Sequence, residues 1–127
     1  MNVLVDSHAL VWALLKDPRL SPRARRALSG SDQLHLSIVS LWELSIKITI
    51  GKLRTIGSSI SYFRDECRDH GIEILPLRID HILRAEMLPF HHRDPFDRLL
   101  AAQAIEEGFA ILTADEKLRR YPAKIVW

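Results

Sequence analysis

The sequence predicts an α/β fold: a central parallel sheet of four to five short strands, covered by helices on both faces. Three observations carry this expectation. Short aliphatic runs alternate with longer segments of helical period along the chain. Those runs are continuously apolar instead of alternating apolar and polar, as expected for strands buried on both faces of a parallel sheet. Acidic residues follow two of the runs at once, at the strand ends where open α/β sheets form their sites. A chain of 127 residues suits one domain, 1–127, with a core of reasonable size.

The elements follow in order. Residues 2–5 form a β-branched and aliphatic strand ending at Asp6. Ser7 can cap a helix over residues 8–16, which Asp17-Pro18 ends. Ser21-Pro22 is a cap followed by a residue with preset φ, so residues 22–29 form a short basic helix stopped by Gly30. A brief strand over 34–37 leads into a helix over 38–50 that Gly51 stops. Its Ile, Val and Thr content would also suit a strand. Ser58 or Ser59 caps a helix reaching residues 68–70, with Gly71 after it. Residues 72–75 form a strand closed by Pro76, and residues 79–88 a helix ended by Pro89. Asp94-Pro95 then opens a helix to Glu107 that is apolar almost all round and is therefore expected to be buried. A strand over 109–113, a helical turn over 116–120 and a last strand over 124–127 complete the chain. There is no linker, repeat or low-complexity segment.

Hydrophobic residues make up 47% of the chain and charged residues 27%, which points to a soluble globular protein and excludes a disordered one. The single cysteine, Cys67, has no partner for an internal disulfide and fits a reducing compartment. The N-terminus has no basic leader region, and Asp6 and His8 interrupt its apolar run, so neither a signal peptide nor a membrane span is expected and a cytoplasmic location is. The net charge is only +2. Its distribution says more: Arg19, Arg23, Arg25, Arg26, Lys47, Lys52 and Arg54 crowd the first half. A basic exterior around an acidic pocket suits a phosphate backbone approaching a metal site. Arg23, Arg25, Arg26 and Lys47 are the candidates for contact with such a backbone; the competing reading is a solvated charged surface.

Four acids define the candidate site. Asp6 and Asp115 each follow a strand, Asp97 lies in the first turn of the apolar helix, and Glu43 lies beside Val39, Ile46 and Ile50 at helical spacing. Each also has an ordinary reading. Asp6 and Asp115 could cap helices, Glu43 could pair with Lys47 one turn on, and Asp97 could favour the helix dipole. Together at one sheet edge, however, they would repel one another unless a cation joined them. Hard divalent ions such as Mg²⁺ or Mn²⁺ choose carboxylate oxygen. A zinc site from His91, His92 and Cys67 is disfavoured, because the two histidines are adjacent in a loop and no third soft ligand stands at suitable spacing. Ser7 has no evident His–acid pair to activate it as a nucleophile, so it is a cap or a hydroxyl bonded to the ligand shell.

The order LVDSHALVW, SLWELSIKITIGKL, HHRDPFDRLLAAQA and ILTADEKL resembles the PIN-domain proteins of the VapC type, the toxin half of bacterial toxin–antitoxin pairs. The resemblance spans nearly the whole chain. It implies a PIN-like α/β/α sandwich in which acidic residues bind Mg²⁺ or Mn²⁺ for RNA cleavage. By motif, the family's four acids fall on Asp6, Glu43, Asp97 and Asp115. Thr113 matches the polar residue before the last acid, and Asp94 a position often acidic, read here as a cap. The resemblance also implies a homodimer and a cognate antitoxin whose tail covers the acidic site.

Other functions fit less well. A phosphoacceptor receiver domain wants paired acids after its first strand, and a haloacid-dehalogenase-like phosphatase wants Asp-x-Asp, whereas Ser7 and His8 follow Asp6 here. The remaining alternative is a catalytically inactive PIN-like module that binds RNA or protein. The four intact acids count against it.

Overall fold

A computed structural model describes residues 1–30, 32–53 and 59–127. Its strands are β1 (Asn2–Val5), β2 (Gln33–Ser37), β3 (Glu73–Leu75), β4 (Ala110–Leu112) and β5 (Ile125–Val126). They form one sheet in the order β3-β2-β1-β4-β5. All four pairings are parallel, as the continuous apolar runs require. The chain builds outward from β1 through β2 to β3, then returns to the other side of β1 with β4. The order therefore reverses between β1 and β4, which is where an open α/β sheet forms its crevice.

Among the described residues six helices connect the strands: α1 (Ser7–Leu14), α2 (Pro22–Ser29), α3 (Ile38–Thr49), α4 (Ile60–Asp69), α5 (Ile79–Met87) and α6 (Pro95–Glu107). A 3-10 turn, Glu116–Arg120, joins β4 to β5. The strand alternation divides the core into two layers. Val3 and Val5 pack with Ala9, Leu10, Ala24, Leu41, Leu44, Phe63 and Cys67 from α1 to α4. Leu4 and Ile111 point the other way, against Leu100, Ala101 and Ala104 of α6 and against Leu118 and Tyr121. The small residues Ala101 and Ala104 let α6 lie close to the sheet, and both are fully buried.

Local chemistry sets most boundaries where the sequence puts them. Ser21, Ser37 and Ser59 accept backbone N–H groups at the starts of α2, α3 and α4. Ser58, the alternative cap, lies outside the described residues, as does Arg54. Asp94 accepts from both Phe96 and Asp97 N–H, and Pro95 opens α6. Gly108 closes α6 at φ 72°, the left-handed region open to glycine.

Four local expectations change. Ser7 is the first residue of α1 and not its cap; Asp6 holds the cap position, with its carboxylate turned elsewhere. Gly30 ends α2 in an extended conformation, not a left-handed one; a Cβ there would lie 3.0 Å from the Arg26 carbonyl oxygen. Of the neighbours expected to carry Glu43 inward, Val39 is buried but Ile46 and Ile50 are exposed, and Leu41 and Leu44 define the inner face of α3. Helix α6 is buried as expected, but its core face includes a polar residue, Gln103, that is fully enclosed.

Candidate metal centre

Each acid reaches the same sheet edge by a different route. Asp6 is the residue after β1, and its N–H bonds to the Leu112 carbonyl at the end of β4, so it stands at the reversal of strand order. Asp115 is the third residue beyond β4 and caps the 3-10 turn. Asp97 is in the first turn of α6, and Glu43 in the second turn of α3, the helix that follows β2. Asp6, Asp97 and Asp115 line one cleft of about 230 Å³, together with His8, Trp12 and Ala114. Glu43 is joined to this group through Ser7.

Two hydroxyls set the carboxylates of Asp6 and Glu43. Thr113 donates to Asp6 Oδ2 at 2.7 Å, and its oxygen accepts the Asp115 N–H at 3.1 Å, which ties the two acids together. Ser7 donates to Glu43 Oε1 at 2.7 Å and lies 3.4 Å from Asp6 Oδ1. The single Ser7 proton serves the closer oxygen. Glu43 Oε2 is 3.8 Å from Lys47 Nζ, so the ordinary i,i+4 pair forms as well.

Asp97 is the most strained of the four electrostatically. Its pKa is pushed up to about 8, by burial first and then by the negative charges of Asp6, Asp94, Glu43 and Asp115. The His92 Nε2 lies 3.0 Å from Asp97 Oδ2. The same Nε2 bonds to Asp115 Oδ2 at 2.7 Å. Ligand atoms of His92, Asp97 and Asp115 fall within 4.8 Å of one another, close enough to surround one ion.

His92 is the residue that sequence reasoning missed at this site. It lies in an irregular loop, where no period indicates which way a side chain points. The available signal was its position just before the Asp94-Pro95 helix start, which fixes the loop against the first turn of α6.

The basic candidates divide. Lys47 borders a neighbouring cavity of about 280 Å³ with Ser7, His8 and Lys52. His8 lines both this cavity and the acidic cleft, so the two are contiguous. Arg23, Arg25 and Arg26 line neither. Arg25 bonds to the carbonyl oxygens of Leu20 and Asp17. Trp12, on the other side of the acidic cleft, has the Arg19 guanidinium over its ring at 4.5 Å. No described helix is long and apolar enough to cross a membrane.

This arrangement has relatives. The PIN domain family matches residues 3–124. Ribonuclease VapC22 of Mycobacterium tuberculosis is 30% identical over 130 residues, covering 99% of this chain and 98% of that protein. The VapBC2 structure from Rickettsia felis, bound to a DNA fragment from its promoter, superposes with a TM-score of 0.75 at 19% identity. That match covers 98% of this chain and 97% of the other. FitAcB from Neisseria gonorrhoeae gives 0.68 at 15% identity over 97% of this chain and 95% of its own. These low identities establish the shared fold, while the family match and the ribonuclease establish kinship: the chain belongs to the PIN-domain family and is similar to its VapC-type members.

Proposed function

We propose that this protein is an Mg²⁺- or Mn²⁺-dependent endoribonuclease, the toxin of a toxin–antitoxin pair, acting at Asp6, Glu43, Asp97 and Asp115. The observation that carries this reading is the convergence of Asp6, Asp97 and Asp115 in one cleft at the strand-order reversal, with Asp97 mostly buried among like charges. The donor set fits a hard divalent cation: carboxylate oxygens dominate, and among the described residues no Arg or Lys pairs with Asp6, Asp97 or Asp115. A bound Mg²⁺ or Mn²⁺ would supply activation of a water and neutralisation of the phosphoryl oxygens.

The chain's own residues do the rest. Asp6 and Asp97 are the central ligands. Thr113 and Ser7 hold Asp6 and Glu43 at fixed orientations, so little reorganisation accompanies reaction. Glu43 takes the proton from the attacking water at Oε2, since Ser7 occupies Oε1. The water oxygen bonds to phosphorus, the bond to the leaving ribose oxygen breaks, and that oxygen takes a proton from solvent water. Lys47 and Lys52, beside His8, supply positive charge where the RNA backbone continues past the acids. Arg23, Arg25 and Arg26 give a more distant, screened attraction.

Two partners complete the reading. A cognate antitoxin covers the acidic site with its tail, and the apolar groove of about 490 Å³ lined by Ile38, Leu41, Trp42, Ile60 and Ile74 takes the rest of its length. A second copy of the chain covers the exposed apolar stripe of α5, where Ile79, Ile82, Leu83 and Met87 face outward. Leu83→Asp should shift sedimentation from dimer to monomer; an unchanged dimer would move the interface elsewhere.

The decisive test is cleavage of total RNA with Mg²⁺ and with EDTA, followed by mapping of the new ends. Cleavage in Mg²⁺ alone supports the enzyme. RNA bound equally in both conditions and never cut would instead support the inactive binding module.

A further inference from the structure

We infer that His92 is a positioning residue that serves the acidic site as a hydrogen-bond donor and not as a metal ligand. The inference rests on the metal-site reading above and adds a residue to it. The loop that carries His92 is fixed by Tyr121 and by Arg98. The His92 N–H donates to the Tyr121 hydroxyl at 3.1 Å, and that hydroxyl donates to the Pro89 carbonyl at 2.9 Å. Arg98, one residue beyond Asp97, donates to the carbonyls of Ala85, Leu88 and Pro89. The imidazole is only 8% exposed, so its orientation is set by protein and not by water.

Its two nitrogens have different duties. Nδ1 faces the Asp94 N–H at 3.2 Å and must accept it. A nitrogen that accepts carries no proton, so the ring proton is on Nε2. Nε2–H donates to Asp115 Oδ2 at 2.7 Å and lies 3.0 Å from Asp97 Oδ2. Direct ligation through Nε2 would require its lone pair and so would transfer the proton to Nδ1, setting two N–H groups against each other at Asp94. The backbone N–H of Asp94 therefore selects the donor tautomer. Asp94 itself is fixed, because its side chain caps α6.

The consequence falls on Asp115. Its Oδ1 accepts the Lys117 N–H at 2.9 Å and its Oδ2 accepts from His92, so both oxygens are aimed by the protein. His92 thus presents Asp115 towards Asp97 and sets a partial positive charge between two carboxylates that would otherwise repel. Groups of this kind behind metal ligands typically alter metal affinity by roughly 10- to 100-fold when removed.

The experiment combines calorimetric Mg²⁺ titration with nitrogen-15 NMR of the imidazole, using the full chain. Wild type should show a protonated Nε2 that stays protonated when Mg²⁺ is added. His92→Ala should bind Mg²⁺ roughly 10-fold more weakly. His92→Gln, whose amide can offer an N–H near the Nε2 position, should recover most of the affinity and of kcat. A folded His92→Ala protein with wild-type affinity, or an Nε2 that loses its proton on Mg²⁺ addition, overturns the inference while leaving the acidic site standing. Absence of Mg²⁺ binding by wild type overturns both.

Discussion

Helix α6 carries two polar groups inward, Asp97 in its first turn and Gln103 near its middle, and the two meet opposite surroundings. Around Gln103 every group has a complement. The Ser37 hydroxyl donates to its Oε1, and its Nε2 donates to the Pro76 carbonyl at 3.3 Å and faces His81 Nδ1 at 3.3 Å. His81 Nδ1 accepts the Arg78 N–H, and Nε2 donates to Glu107 at 2.8 Å. Arg78 closes the chain on the same Glu107 oxygen. The Glu107 carboxyl is held below the ordinary range by the His81 hydrogen bond first and then by Arg78. Around Asp97, His92 apart, the neighbours are carboxylates, and burial together with their charge moves its pKa up. A polar network built for stability neutralises itself; one built to take a cation leaves negative charge uncompensated.

Breaking the contrast at its charged end should have the largest effect. Asp6→Asn, Asp97→Asn and Asp115→Asn should each lower Mg²⁺-dependent RNA cleavage by more than about 100-fold, with near-native circular dichroism. Near wild-type turnover in any one of them would remove that residue from the site.

The matching substitution at the neutral end is Gln103→Ala. It removes the acceptor of the buried Ser37 hydroxyl and leaves a void in the core, and should destabilise the protein by about 2 kcal/mol or more. Cleavage per folded molecule should stay the same. Urea denaturation and initial rates at low temperature measure the two separately, and lost turnover without lost stability would put this network inside the site.

A smaller effect, of opposite sign, is expected from Asp97→Asn in EDTA. Because the folded-state pKa of Asp97 lies near 8, above the ordinary carboxylate value of 3.8, folding favours its protonated form. That contribution is fully present below the ordinary value and is lost as pH rises towards 8. The variant should therefore melt with wild type at about pH 4 and be more stable by ~1 kcal/mol at pH 8. Mg²⁺ should raise the wild-type melting temperature more than the variant's. Should the variant melt lower at pH 8 and Mg²⁺ leave both proteins unmoved, Asp97 is a structural residue like Gln103.

The smallest change is expected from replacing Arg23, Arg25 and Arg26 together. RNA affinity should fall modestly and its salt dependence flatten, while chemistry on bound RNA stays nearly constant. Replacing Lys47 and Lys52 should do more, because they border the cavity next to the acids. Equal effects from the two sets would place α2 on the RNA path.

Local patterns in the sequence determined the elements. Pro22 and Pro95 behind capping residues, the serines before α2 and α4, and the aliphatic runs of β1 and β4 are short-range features, and short-range physics places them. The parallel sheet followed from the strands' lack of polar faces, and the shared edge of Asp6 and Asp115 followed from parallelism, since strand ends of like sense lie together. Periodicity misjudged Ile46 and Ile50, because a helix with apolar residues all round does not declare its inner face; contact with α4 and the sheet decides that. Of the two readings of Ser7, the cap fails and the hydroxyl bonded to a site acid holds, because Glu43, 36 residues away, draws that hydroxyl from the helix end.

Tertiary structure alone decided the inventory of each buried cluster. His92 and Asp115 are 23 residues apart and Ser37 and Gln103 are 66 apart. A residue's type shows that it needs a partner, but its partner is chosen by how helices and loops pack against a common sheet. That packing is a sum of many long-range apolar contacts, none of which is written near the polar residue it positions.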